Sequence, residues 1–135
     1  MPSLVAVIIP SVQNSFFARA LYGIESVISK TNYSTIVCLT KESHSKEVDN
    51  FDMLSNGVVD GFIVAVSEET QTLNEFSHFE DAINDGKKLV MFDRVIETIP
   101  CVKVETNDYS AISEATKNLI SSNRKNIILL SAINN

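Results

Sequence analysis

Short, wholly apolar runs alternating with segments of helical periodicity predict an α/β fold, a doubly wound parallel sheet. Three observations carry this. The run Leu4-Val5-Ala6-Val7-Ile8-Ile9 contains no polar residue, as a strand buried on both faces requires. After it the apolar period becomes helical, with Phe17, Ala20, Leu21, Ile24, Val27 and Ile28 sharing one face. Strand-like runs then begin near residues 4, 34, 61 and 89, roughly 28 residues apart, the length of a βαβ unit. Strands alternating with helices in this way give parallel, right-handed crossovers.

Each element has a local cause. Pro10 ends the first strand because it has no N–H for a ladder bond. Asn14 or Ser15 caps the first helix, which spans 16–30. A second strand occupies 34–39, and a polar link at 40–46 precedes a helix whose core face is Val48, Phe51, Leu54 and Ser55. Asn56-Gly57 stops that helix, since both residues tolerate the left-handed conformation. The third strand is 62–66, and a third helix spans 73–85 with Phe76, Phe79 and Ile83 inward. Strands at 88–92 and 101–105 follow. Asn107 or Asp108 then caps a helix over 109–122, with Ile112, Ala115, Leu119 and Ile120 inward. The run Ile127-Ile128-Leu129-Leu130 is a further buried strand with no helix after it, so the chain reads as cut short.

With 135 residues, 44% apolar and 21% charged, the composition is that of an ordinary globular domain. A net charge of −6 leaves no basic footprint for nucleic acid. No apolar run approaches the roughly 18–20 residues that span a bilayer, and the start carries no secretory leader. A cytoplasmic protein without a membrane partner is expected. Cys38 and Cys101 lie inside strands and read as two reduced, buried thiols.

The motifs of catalysis are missing. No two of the four glycines stand in G-x-G spacing, Gly86-Lys87 is not a P-loop, and there is no G-x-S-x-G elbow. His44 and His78 lack metal-ligand spacing and read as solvated surface histidines. No catalytic residue, cofactor or metal is expected, and the chain reads as a binding module. In open α/β sheets small ligands sit at the carboxyl ends of the strands. There the sequence places Asn14, Phe16, Phe17, Ser67, Asp93 and Arg94, polar groups flanked by aromatics that suit a polyhydroxy ligand. Phe17 also falls on the core face, Phe16 lies about 80 degrees off it, and Asp93-Arg94 could equally be a loop ion pair.

These residues resemble the lac-repressor/galactose-repressor family of bacterial transcription regulators, in the effector-binding region it shares with periplasmic sugar-binding proteins. The resemblance rests on Ile9-Pro10 followed by Asn14-Ser15-Phe16-Phe17, where the family has asparagine-proline-phenylalanine-phenylalanine. It continues through Val59-Asp60-Gly61-Phe62-Ile63, Phe92-Asp93-Arg94 and Ala115-Thr116 with Leu119-Ile120. Asn107-Asp108 reverses the family's order, and either order caps a helix. The resemblance implies a periplasmic-binding-protein-like fold in which 1–106 form the first effector-binding subdomain and 107–135 open the second. It also implies that Asn14, Phe16, Phe17 and Arg94 line one wall of an effector cleft, with Asp93 close by and the opposite wall absent. Operator DNA would be bound only through a headpiece missing here. A periplasmic sugar-binding protein is the alternative; it needs a secretion signal, and the alanine-threonine helix favours the regulator.

A homodimer is also expected. Tyr22 lies about 160 degrees from the core face of the first helix, flanked by Arg19 and Ser26. The second strand, with Thr35 and Val37, is an edge in the order 2-1-3-4 and carries no charge to prevent pairing. Family members are similar in dimerising through this subdomain. The acidic 135-residue chain itself is predicted not to bind duplex DNA, because phosphate neutralisation dominates such affinity. A mobility-shift assay at low salt checks this, and a salt-sensitive shift of random duplex by the chain refutes it.

Overall fold

The computed structural model describes residues 3–105, 108–122, 126, 128 and 130, and the chain divides into two compact units, 1–105 and 106–135. The first unit carries β1 (Ser3–Ile9), α1 (Ser15–Ile28), β2 (Tyr33–Leu39), α2 (His44–Ser55), β3 (Gly61–Val64), α3 (Glu68–Leu73), α4 (Ser77–Asn84), β4 (Lys88–Phe92) and β5 (Val102–Val104). The five strands are all parallel, in the order β2-β1-β3-β4-β5. This is the doubly wound parallel sheet that the alternation predicts. The second unit is described as α5 (Asp108–Ser121). The expected Asn107 cap lies outside the described residues, as do Ile127 and Leu129 of the strand expected at 127–130; Ile128 and Leu130 are described without strand structure and are exposed, against the buried run expected there.

β1 is central, and its last four residues, Ala6 to Ile9, are completely buried because side chains of both parities face packed layers. Ala6 and Ile8 join Phe62, Val64, Leu89 and Met91 on the face covered by α2 and α4. Phe51 of α2 stacks on Phe62 at 4.3 Å and meets Phe79 of α4 edge-on at 5.2 Å. On the opposite face Val7 and Ile9 pack with Phe17, Leu21 and Ile24 of α1. Gly61 opens β3 where the backbone of β4 is too close for a side chain. A Cβ there would lie 2.9 Å from the Lys88 carbonyl oxygen.

Several local expectations are corrected. The single helix expected over 73–85 is two. Ser67 caps α3 through a bond from the Thr70 amide, and Asn74 ends it in the left-handed conformation at φ 55°. Phe76 then leads into α4, on which Phe79 and Ala82 are buried. Val27 does not pack: it is 65% exposed, because α1 covers only part of its face of the sheet. The apolar residues Ile112, Ala115, Leu119 and Ile120 of α5 are likewise exposed. On α2 the third inward residue is Glu47, while Val48 is only half-buried.

Glu47 also overturns the reading of His44 and His78 as lone surface histidines. His78 is 4% exposed, His44 is half-buried, and their rings lie 5.4 Å apart. Glu47 is completely buried; its Oε2 accepts from the Ser67 amide at 2.7 Å, and its Oε1 accepts from the Thr70 hydroxyl at 2.8 Å. Nε2 of His78 lies 2.7 Å from the same Oε1, and since a carboxylate only accepts, that nitrogen carries the proton. The Ser67 hydroxyl donates to Thr70, and Nδ1 of His44 lies 2.9 Å from Thr70 Oγ1. One carboxylate thus ties α2, α3 and α4 to the end of β3. Replacing Glu47 with Ala strands three buried donors at about 1–3 kcal/mol each, so a loss of at least about 3 kcal/mol is expected. Urea unfolding followed by circular dichroism measures it; a loss below about 1 kcal/mol would show the brace to be dispensable.

Candidate functional site

At the carboxyl edge of the sheet the loops after β1, β2 and β4 enclose an open recess of about 540 Å³. Its lining is Pro10, Ser11, Val12, Gln13 and Asn14 after β1, Phe17 of α1, Leu39, Lys41 and Glu42 at the end of β2, and Arg94 after β4. Parallel strands place these loops side by side because β2 and β4 both lie within one strand of the β1–β3 pair.

Asn14 is the α1 cap; its side-chain oxygen accepts from the Phe16 amide at 2.8 Å, which leaves its NH₂ for other partners. Phe17 is buried and meets Phe92 at 6.4 Å, so it is both core and recess wall. Phe16 is 49% exposed, contacts Phe17 edge-on at 5.2 Å, and lines an adjoining hollow with Ser15, Arg19 and Ala20. The Arg94 guanidinium lies 5.7 Å from the Phe17 ring centroid and donates from Nη1 to Oε1 of Glu42. Asp93 is exposed at φ 63° and turns the chain after β4, its amide bonding the Val104 carbonyl at 2.9 Å.

The structure therefore brings Asn14, Phe17 and Arg94 to one recess; Phe16 lines a separate hollow and Asp93 precedes Arg94 in the turn without lining the recess. Ser67 is corrected. It is completely buried, and its hydroxyl is engaged with Thr70 in the Glu47 brace, so it offers nothing to the recess. Sequence reading missed Lys41 and Glu42 in the polar link. Their signal was position, directly after a strand that neighbours the central one.

Residues expected at an interface sit on the far side of α1 and along β2. Arg19, Tyr22 and Ser26 are exposed, Tyr22 at 79%. β2 is the end strand of the sheet; on it Val37 is 41% exposed, and Thr35 is half-buried with an unpartnered hydroxyl oxygen. Cys38 and Cys101 are free and half-buried rather than buried, and burial pushes both thiols above their ordinary range, against the opposing charge of Lys103 at Cys101.

His44, Glu47 and His78 have the residue types of a zinc site and ligand atoms within 4.8 Å of one another. The chemistry does not fit an ion. Glu47 Oε1 already takes two hydrogen bonds, and metal on His78 Nε2 would move the ring proton to Nδ1, which is buried without a partner. The cluster is a brace.

In open α/β sheets the carboxyl edge is where small ligands bind, and the polar-aromatic recess of this unit stands at that edge. This chain belongs to the family described as periplasmic binding proteins and sugar binding domain of LacI family, which it matches over residues 3–135. The HTH-type transcriptional repressor PurR of Vibrio campbellii is 33% identical over 118 residues, covering 87% of this chain and 34% of that protein. That relative is a repressor. The chain thus spans about a third of the length of the curated relatives it matches. The solved structure of transcription regulator CcpA of Lactococcus lactis superposes with a TM-score of 0.76 at 20% identity, over 90% of this chain and 43% of that one. A LacI family transcriptional regulator from Lactobacillus casei, solved with bound sucrose, gives 0.69 at 18% identity over 90% and 42%. Among the described residues no helix is long and apolar enough to cross a membrane.

Proposed function

We propose that this chain is the effector-sensing part of a cytoplasmic bacterial transcriptional repressor and that its recess is one wall of a cleft for a small polyhydroxy molecule. The observation that carries the reading is the convergence of Asn14, Phe17 and Arg94 on one recess in a chain of this family. An amide, an aromatic face and a guanidinium fork supply donors, an acceptor partner and an apolar wall, the mixture that holds a sugar ring. Residues 1–106 form the first subdomain of the effector domain and 107–135 begin the second. The repressor relatives favour regulation over the alternative, a periplasmic sugar-binding protein of a transport system. Operator DNA is engaged by a headpiece outside these residues.

The reading includes a homodimer formed through Arg19, Tyr22 and Ser26 of α1 and Thr35 and Val37 of β2. An exposed tyrosine beside an unpaired edge strand is a surface that a symmetry mate covers well.

Two measurements test these statements. Arg94→Ala in the full-length protein is expected to weaken effector binding at least tenfold in calorimetric titration, since a charge-assisted contact is worth about 1.5–3 kcal/mol. Unchanged affinity in a folded variant makes Arg94 structural. Sedimentation velocity of the wild type against Tyr22→Glu tests the interface. A dimer that becomes monomeric on substitution is expected, and a monomeric wild type or an equally stable variant dimer refutes the placement.

A further inference from the structure

We propose that Glu42 sets the charge preference of the recess, so that this wall accepts neutral polyhydroxy molecules and turns anionic ones away. The inference rests on reading the recess as an effector cleft. An arginine at the end of a strand is by itself a natural partner for carboxylate or phosphate. Here its charge is already taken: Arg94 Nη1 donates to Glu42 Oε1, with the two side chains only 27% and 34% exposed.

Glu42 is held in that position from two sides. It follows Lys41 in the left-handed conformation, at φ 52° for Lys41 and 63° for Glu42, a backbone that side-chain-bearing residues adopt only when their surroundings enforce it. The enforcing contacts are bonds from the Thr40 amide to the Ile9 carbonyl and from the Lys41 amide to the Pro10 carbonyl, both 2.9 Å. Its Oε1 also accepts from the Glu68 amide at 3.0 Å, so the carboxylate is tied to α3 as well as to Arg94.

The consequence is chemical. An anionic ligand oxygen that takes the donors Glu42 leaves over on Arg94 sits beside a second negative group and meets a guanidinium whose charge is already countered. A hydroxyl meets no such conflict: its hydrogen donates to Oε2, and its oxygen accepts from the guanidinium donors that Glu42 leaves over. Lys41 is exposed on a flexible stem, where solvent and salt screen its charge.

The test compares the full-length wild type with Glu42→Gln, which keeps the shape and the acceptor for the Glu68 amide. The first readout needs no effector: phenylglyoxal modification of Arg94, mapped by mass spectrometry against N-acetylarginine added as the reference. Arg94 is expected to react more slowly than the free reference in the wild type and several-fold faster after the substitution. The second is calorimetric titration with ribose, glucose, sucrose and glucose 6-phosphate. The variant is expected to gain about tenfold for the phosphate relative to the neutral sugars, the scale of one charge-assisted bond. Unchanged Arg94 reactivity in the variant, or a wild type that binds the phosphate as tightly as its preferred neutral sugar, overturns the role of Glu42. Increased reactivity with no probe bound by either protein overturns the cleft reading itself, so the two failures are told apart.

Discussion

The buried carboxylate of Glu47 is the contact on which the arrangement of this unit depends. A fully buried carboxylate is tolerated only when its lone pairs are engaged, and here three donors, two from the start of α3 and one from α4, converge on it. One of them, the amide of Ser67, fixes where the chain leaves β3. That in turn fixes the start of α3 and so the amide of Glu68, which holds Glu42, which holds Arg94. A line of hydrogen bonds therefore runs from the packed face of the sheet to the rim of the recess, and the geometry of the polar wall is inherited from the core.

The two faces of the sheet are closed to different degrees. On one, α2 and α4 cover Ala6, Ile8, Phe62, Val64, Leu89 and Met91, all buried. On the other, α1 covers β1, while Val102 and Val104 of β5 stand 63% and 58% exposed in register with Val90 and Phe92. Parallel strands are ordinarily covered on both faces because their side chains are apolar on both. The same asymmetry accounts for Val27: its place on the apolar stripe of α1 was read correctly, but the stripe is wider than the sheet surface that α1 meets.

What was legible in the sequence was whatever depends on neighbours in the chain. Continuous apolar runs gave the strands and their parallel order, Asn14 or Ser15 marked the start of α1, whose cap is Asn14, and Asn56-Gly57 gave the end of α2, with Gly57 at φ 79°. Asn14 and Arg94 were legible as lining of the recess because each lies on the turn that follows a strand, and Phe17 because it stands in the first turn of the helix after β1. What escaped depends on partners distant in sequence. Glu47 is 20 to 31 positions from Ser67, Thr70 and His78, so no local period marks it as buried or His78 as anything but a polar residue in an amphipathic helix. Ser67 stands at a strand end just as Arg94 does, and only the brace decides that it turns inward. Glu42 is 52 positions from Arg94, and nothing in a polar link announces which of its charges is pinned.

Backbone strain marks the same edge of the molecule. Of the four described non-glycine residues with positive φ, Lys41 and Glu42 line the recess and Asp93 precedes Arg94; Asn74 ends α3. Left-handed conformations of this kind cost on the order of 1–3 kcal/mol each and persist where several contacts impose them. Asparagine suits the position at 74, since its short side chain is the most tolerant of that backbone after glycine. Lysine and glutamate have no such tolerance, so relief by glycine was available at 41 and 42 and was not taken. A glycine at 42 would ease the turn and lose the carboxylate that neutralises Arg94. The strained pair is therefore best understood as the cost of presenting a charge at that point of the rim, where the carboxylate meets Arg94.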